Sequence, residues 1–245
     1  LHAATVVAGL KGLRLAPVAK WLSAKGEAVT AEKFAWLRLP AAANPRLPSI
    51  YLVGDSTVRT GRGDGGQGQW GWGEYLPGYF DLARVNVVNR AVGGTGVRTF
   101  LDAGYWSAVT AKLRPGDVVL IQFGHNDQPG KGPQRESAAD GAFREHLRQY
   151  VREAREIGSQ PILVTPLTRR RWTADGRIEP TLQDYATAAQ AVATETNTPL
   201  IDLHSASIRQ CEQLGPLAFR AFEPMLVTGA DHTHLNADGG RVTAV

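Results

Sequence analysis

Four apolar residues in "SIYLVGDSTV", Ser49 to Val58, run straight into a Gly-Asp-Ser turn. A strand that ends this way presents one hydroxyl, that of Ser56, at the rim of a sheet. A serine hydroxyl is a weak nucleophile until a base lies within hydrogen-bond reach. "GADHTHLN", Gly229 to Asn236, offers that base in His234. Asp231 stands three residues earlier, and in a helical turn the two side chains would share a face. Asp231 could then orient one imidazole nitrogen while the other faces Ser56, the logic of a serine triad. Attack on a carbonyl also needs donors fixed in place for the developing oxyanion. The backbone N–H groups of Ser56 and of Gly94, in "NRAVGGTG", can serve, together with the amide of Asn126, in "FGHND". Val58 stands where a G-x-S-x-G elbow would have its second glycine, so the ordinary α/β-hydrolase arrangement is not expected.

Other reactive-looking residues have plainer readings. His232 and His234 form a His-x-His pair, but no further ligands accompany them and zinc takes at least three from the protein. No metal and no cofactor is expected. Asp55 is read as a brace for the serine turn, and Asp202 and His204 as helix-entry residues. His125 is read either as a pocket residue or as a buried structural histidine. Arg169, Arg170, Arg171 and Trp172 follow a strand at the edge where ligands bind. Arginine pairs with carboxylates through a planar fork and tryptophan stacks on sugar rings. His125, Arg170, Arg171 and Trp172 are therefore the candidate substrate contacts. At least one of Trp70 and Trp72 is expected to pack internally.

These groups must be positioned by elements that are readable in outline. Short apolar runs at Ile50 to Val53, Arg84 to Asn89, Asp117 to Phe123, Pro161 to Pro166 and Pro199 to Leu203 suit parallel strands buried on both faces. Helical patterns at 137–158 and Leu182 to Asn197 separate the last three, the first ending at Gly158, a plausible C-cap. Such alternation predicts right-handed βαβ crossovers and an α/β sandwich with a mostly parallel five-stranded sheet of flavodoxin-like type. Ligands of such sheets bind beyond the carboxyl ends of the strands, where Ser56, Gly94 and Asn126 fall. Residues 1–45 are read as a leader or the remnant of an upstream module, with Pro40 to Ser49 as linker. Residues 46–245 are read as the main domain.

The chain has 245 residues, 43% of them hydrophobic and 20% charged, ordinary for a globular protein. No apolar run reaches the roughly 20 residues that cross a bilayer. The single cysteine, Cys211, rules out an internal disulfide and is expected to be a packed thiol. A net charge of +4 would favour polyanions, acidic polysaccharide among them, but the excess is small.

The blocks "YLVGDSTV", "WGWGEYL", "NRAVGG", "IQFGHNDQPG", "VTPLTRRRW" and "DHTHLN" resemble, in order and spacing, the SGNH (GDSL-type) hydrolase superfamily. Within it they look most like the rhamnogalacturonan acetylesterase group, over about residues 48 to 240. The four name-giving blocks match here as Ser56, Gly94, Asn126 and His234, the last with Asp231. The resemblance implies a metal-free serine esterase that removes O-acetyl groups from pectic rhamnogalacturonan through an acetyl-serine, secreted or periplasmic. Its partner would be an acetylated polysaccharide or oligosaccharide, with no nucleic acid and no membrane involved. The alternatives are another SGNH esterase (acetylxylan esterase, lipase or thioesterase) or a non-catalytic carbohydrate-binding protein on the same fold.

Overall fold

A computed structural model describes residues 44–60 and 68–244. The reading of a leader therefore lies, for residues 1–43, outside the described part. The described end of the linker is tied to the domain: Asn44 N–H donates to Asn86 Oδ1 at 2.8 Å, and Asn86 Nδ2 returns a bond to the Asn44 carbonyl at 2.9 Å.

Five strands form one parallel sheet: β1 (Ser49–Gly54), β2 (Asn86–Asn89), β3 (Val118–Gln122), β4 (Gln160–Val164) and β5 (Leu200–Ile201). Their order is β2-β1-β3-β4-β5. Among the described residues six α-helices accompany them: α1 (Val97–Asp102), α2 (Tyr105–Thr110), α3 (Ala142–Glu156), α4 (Gln183–Glu195), α5 (Leu203–Phe219) and α6 (Ala237–Thr243). A small antiparallel hairpin, β6 (Met225–Leu226) and β7 (Gly229–Ala230), precedes the catalytic-looking loop. The architecture is the expected α/β sandwich.

The strands are apolar along their whole length because helices cover both faces, and side chains alternate between them. Tyr51, Val53, Val119, Ile121 and Leu163 face Phe100, Leu147, Tyr150 and Val192 of α1, α3 and α4. Ile50, Leu52, Val118, Leu120, Ile162 and Val164 face the other way, onto Trp72, Tyr75 and Ala244. Each such fully buried aliphatic side chain contributes roughly 1.5–3 kcal/mol. The α3 face is the expected one, with Phe143, Leu147, Tyr150, Val151 and Ala154 buried. Register is pinned by a buried carboxylate: Asp117 accepts from Ser49 N–H at 2.8 Å and from Arg114 N–H at 2.9 Å. Cys211 is buried in α5, and burial pushes its thiol up to about 12, a packed and unreactive group. Asp202 caps α5 by accepting from Ser205 N–H at 3.2 Å, and His204 Nδ1 lies 3.1 Å from the Pro166 carbonyl, so both act as helix-entry residues.

Candidate active site

The order β2-β1-β3 puts the loops that follow these strands side by side at one end of the sheet. They carry Gly94, Ser56 and Asn126 respectively. Val92 N–H donates to the Gly54 carbonyl at 2.9 Å, and Asn126 Nδ2 donates to the Thr95 carbonyl at 3.0 Å. The three loops are thus stitched together by hydrogen bonds, and the amide of Asn126 keeps its second N–H for another acceptor.

The Ser56 turn is built from below. Val58 and Arg59 N–H groups close onto the Asp55 carbonyl at 3.2 and 3.1 Å. Asp55 Oδ1 accepts from both Thr57 N–H and Thr57 Oγ1 at 2.8 Å. Gln122 at the end of β3 donates to Thr57 Oγ1 at 2.7 Å and accepts from Trp72 Nε1 at 2.9 Å. Gly54 is required on space: a Cβ there would stand 2.6 Å from the Gln122 carbonyl oxygen. Asp55 is fully buried; burial raises its pKa, but His125 and the Thr57 donors outweigh it and hold the carboxyl below its ordinary value. It braces the turn, as expected.

Ser56 Oγ lies 2.8 Å from His234 Nε2, and His234 Nδ1 lies 2.7 Å from Asp231 Oδ2. The loop between Asp231 and His234 is not the helical turn that the spacing suggested. It is an open bend, in which Asp231 Oδ1 accepts from Thr233 N–H at 2.8 Å and His234 N–H at 3.0 Å. One carboxylate therefore closes its own loop with one oxygen and orients the imidazole with the other. Gln69 Nε2 adds a fourth bond, to Asp231 Oδ2 at 2.7 Å. Burial would raise the Asp231 pKa, but the His234 ring and the loop N–H groups hold it well below the usual carboxylate range. It stays ionised at any pH where the protein works.

Gly94 has φ +82°, and a Cβ placed there would meet nothing within 4 Å. The chain is therefore open to close approach from outside at this point. Neither Ser56 nor Gly94 N–H has an acceptor among the described residues.

The candidate substrate contacts divide. Arg170 is only 1% exposed and spends its donors on the carbonyls of the 231–234 loop, which leaves it little to offer a substrate. His125 is likewise buried, with Nδ1 3.4 Å from Asp55 Oδ2; burial pushes its pKa below the ordinary value against the pull of Asp55. Both were read from residue type and position, which do not reveal burial. Arg171 is exposed and Trp172 half-buried, and with Glu179, Pro216, Arg220 and His232 they line a groove of about 490 Å³ to which the buried Arg170 and Glu223 also contribute. His232 points away from His234, with Nδ1 3.0 Å from Glu223 Oε1. Among the described residues no group of three or more His, Cys, Asp or Glu could hold a metal. Trp72 is buried under the serine turn; Trp70 is half-buried and bridges to Leu235 through its N–H at 2.8 Å. Gln69 and Glu223 escaped the reading of the sequence, since neither sits in a block that marks its role.

A family profile described as "GDSL-like Lipase/Acylhydrolase family" matches residues 52–242. The chain belongs to the GDSL-like lipase/acylhydrolase family. Membership makes it a carboxylic ester hydrolase. Among relatives of this GDSL-like chain, "Probable rhamnogalacturonan acetylesterase YesY" of Bacillus subtilis is 33% identical over 195 residues, 80% of this chain and 88% of the relative. "Rhamnogalacturonan acetylesterase RhgT" of the same organism is 37% identical over 167 residues, 68% of this chain and 69% of the relative. The crystal structure of YxiM from Bacillus subtilis superposes with a TM-score of 0.71 at 30% identity, over 81% of this chain. The match spans only 54% of that YxiM chain, so the present chain covers about half of its length.

Proposed function

We propose that this protein is a serine acetylesterase that deacetylates a pectic polysaccharide, rhamnogalacturonan, through an acetyl-serine intermediate. The observation that carries the reading is the unbroken chain Asp231–His234–Ser56, with bonds of 2.7 and 2.8 Å. Ser56 Oγ attacks the acetyl carbonyl carbon as its proton passes to His234 Nε2. Asp231 fixes the tautomer, so that Nδ1 carries the other proton and Nε2 is free to accept. Ser56 N–H, Gly94 N–H and the Asn126 amide take up the oxyanion charge. The tetrahedral adduct collapses as His234 returns its proton to the leaving sugar oxygen. Water, deprotonated by the same imidazole, then cleaves the acetyl-serine and releases acetate.

The names of the relatives support rhamnogalacturonan as the polymer. The groove supports an acidic sugar chain: Arg171 and Arg220 supply positive charge, and Trp172 offers a face for a sugar ring. The proposal extends to location, because a polymer of this kind is met outside the cytoplasm, in the secreted or periplasmic space. Acetate release from acetylated rhamnogalacturonan, acetylxylan and acetylated chitin oligomers tests the substrate, and Ser56→Ala tests the chemistry. Faster release from acetylxylan would reassign the polymer; turnover by Ser56→Ala at the wild-type rate would remove the nucleophile. Esterase activity confined to the cytoplasmic fraction would refute the location.

A further inference from the structure

Arg170 is the largest side chain buried to this degree, yet it carries a charge that the serine chemistry does not use. Its guanidinium donates to the Thr233 carbonyl at 2.8 Å, the Asp231 carbonyl at 3.2 Å and the His234 carbonyl. Its backbone N–H donates to the fourth carbonyl of the same loop, that of His232, at 2.8 Å. Glu223, 2% exposed, balances the charge: its Oε1 accepts from Arg170 Nε at 3.4 Å and lies 3.0 Å from His232 Nδ1. The loop from Asp231 to His234 has no regular hydrogen-bond ladder, so its carbonyls need partners from elsewhere. One residue supplies all four.

We propose that Arg170 is a positioning residue for ester hydrolysis, a clamp that sets the imidazole and its orienting carboxylate in place by holding the backbone between them. The inference rests on the roles proposed above for Asp231 and His234. A planar fork with five N–H groups can address several carbonyls at once, whereas a lysine ammonium presents three donors from one point. The carboxylate and the imidazole are borne by the first and last residues of the loop. A shift of either Cα is therefore a shift of the ring relative to Ser56. A misplacement of about 1 Å can cost on the order of 100-fold in turnover.

The test is the kinetics of p-nitrophenyl acetate hydrolysis by wild type, Arg170→Lys, Glu223→Gln and Ser56→Ala, with thermal unfolding and proton NMR of the far-downfield His234 Nδ1–H. Folded Arg170→Lys is expected to lose about 100-fold in kcat with KM within about twofold, and to broaden or lose the downfield resonance. Glu223→Gln keeps an acceptor oxygen but not the charge, and is expected to lose about tenfold in kcat, again at unchanged KM. A folded Arg170→Lys with kcat within about threefold of wild type and the resonance intact overturns the clamp. Should Arg170→Lys fail to fold, wild-type kcat in Glu223→Gln overturns it equally. Ser56→Ala separates the two levels: its inactivity beside a fully active Arg170→Lys refutes the clamp alone, while activity in Ser56→Ala refutes the chemistry beneath it.

Discussion

Replacing Asp127 with asparagine would expose what the protein invests in holding its oxyanion loop. Asp127 is fully buried, and its Oδ1 accepts from Val97 N–H at 2.8 Å at the start of α1, just beyond Gly94 and Thr95. Its Oδ2 has no hydrogen-bond partner among the described residues. Burial raises its pKa from an ordinary 3.8 to about 7, although the Val97 N–H opposes the rise. The folded state thus holds this proton more tightly than the unfolded chain does. Between these two values the native protein binds more protons, so stability falls as pH rises through the window and levels off above it. The gap is equivalent to roughly 4 kcal/mol in full, and to about 3 kcal/mol between about pH 4.5 and about pH 8. Asparagine cannot ionise, but keeps an oxygen for Val97. Its unpaired NH₂ costs about 1–3 kcal/mol at every pH, which shifts the whole curve and leaves its slope alone. Urea unfolding of both proteins across that range isolates the effect, since all other titrations cancel in the difference. Asp127→Asn should gain about 3 kcal/mol on wild type as pH climbs from about 4.5 to about 8. A difference that stays flat with pH would refute the reasoning.

Further outcomes follow from the same geometry. Gln69→Ala removes a bond to the buried side of Asp231 and should lower kcat about tenfold with little change in melting temperature, read by steady-state kinetics. Asn126→Ala should lower kcat about 100-fold or more, as loss of one oxyanion donor does, measured on the same ester. Gly54→Ala forces a methyl into the Gln122 carbonyl and should cost about 1–3 kcal/mol in urea unfolding as well as activity. Gly94→Ala meets no neighbour but must adopt a left-handed φ and projects into the approach path, so kcat/KM should fall further than stability does.

The sheet was legible because buried parallel strands leave a plain mark, short apolar runs without polar alternation. Each of the five runs predicted from the sequence falls on one strand of the sheet, three of them containing it whole and the first and fourth missing an end residue or two. Helices α1 and α2 were not anticipated, for each is only six residues and starts at a glycine, Gly96 or Gly104, which has no side chain to signal a cap. At the site, the residues that the block pattern singled out were placed within reach of one another, Ser56 with His234 and His234 with Asp231. What the pattern could not carry was depth. Arg170 and Arg171 are adjacent and chemically identical, yet one is buried against the 231–234 loop and the other is exposed. Likewise Asp231 and His234 meet through a bend closed by a side chain, a shape that spacing alone does not distinguish from a helical turn.

The proposed nucleophile and oxyanion donors lie within the first 127 residues, while the proposed acid and base follow together about a hundred residues later. Strands β1, β2 and β3, whose loops carry the first set, precede β4 and β5 in the chain and by themselves would have no power to cleave esters. On the roles proposed above, catalytic competence would wait for the segment from Asp231 to His234, which brings both missing groups at once. Appearance of activity during refolding would then time the docking of that segment, separately from collapse of the sheet.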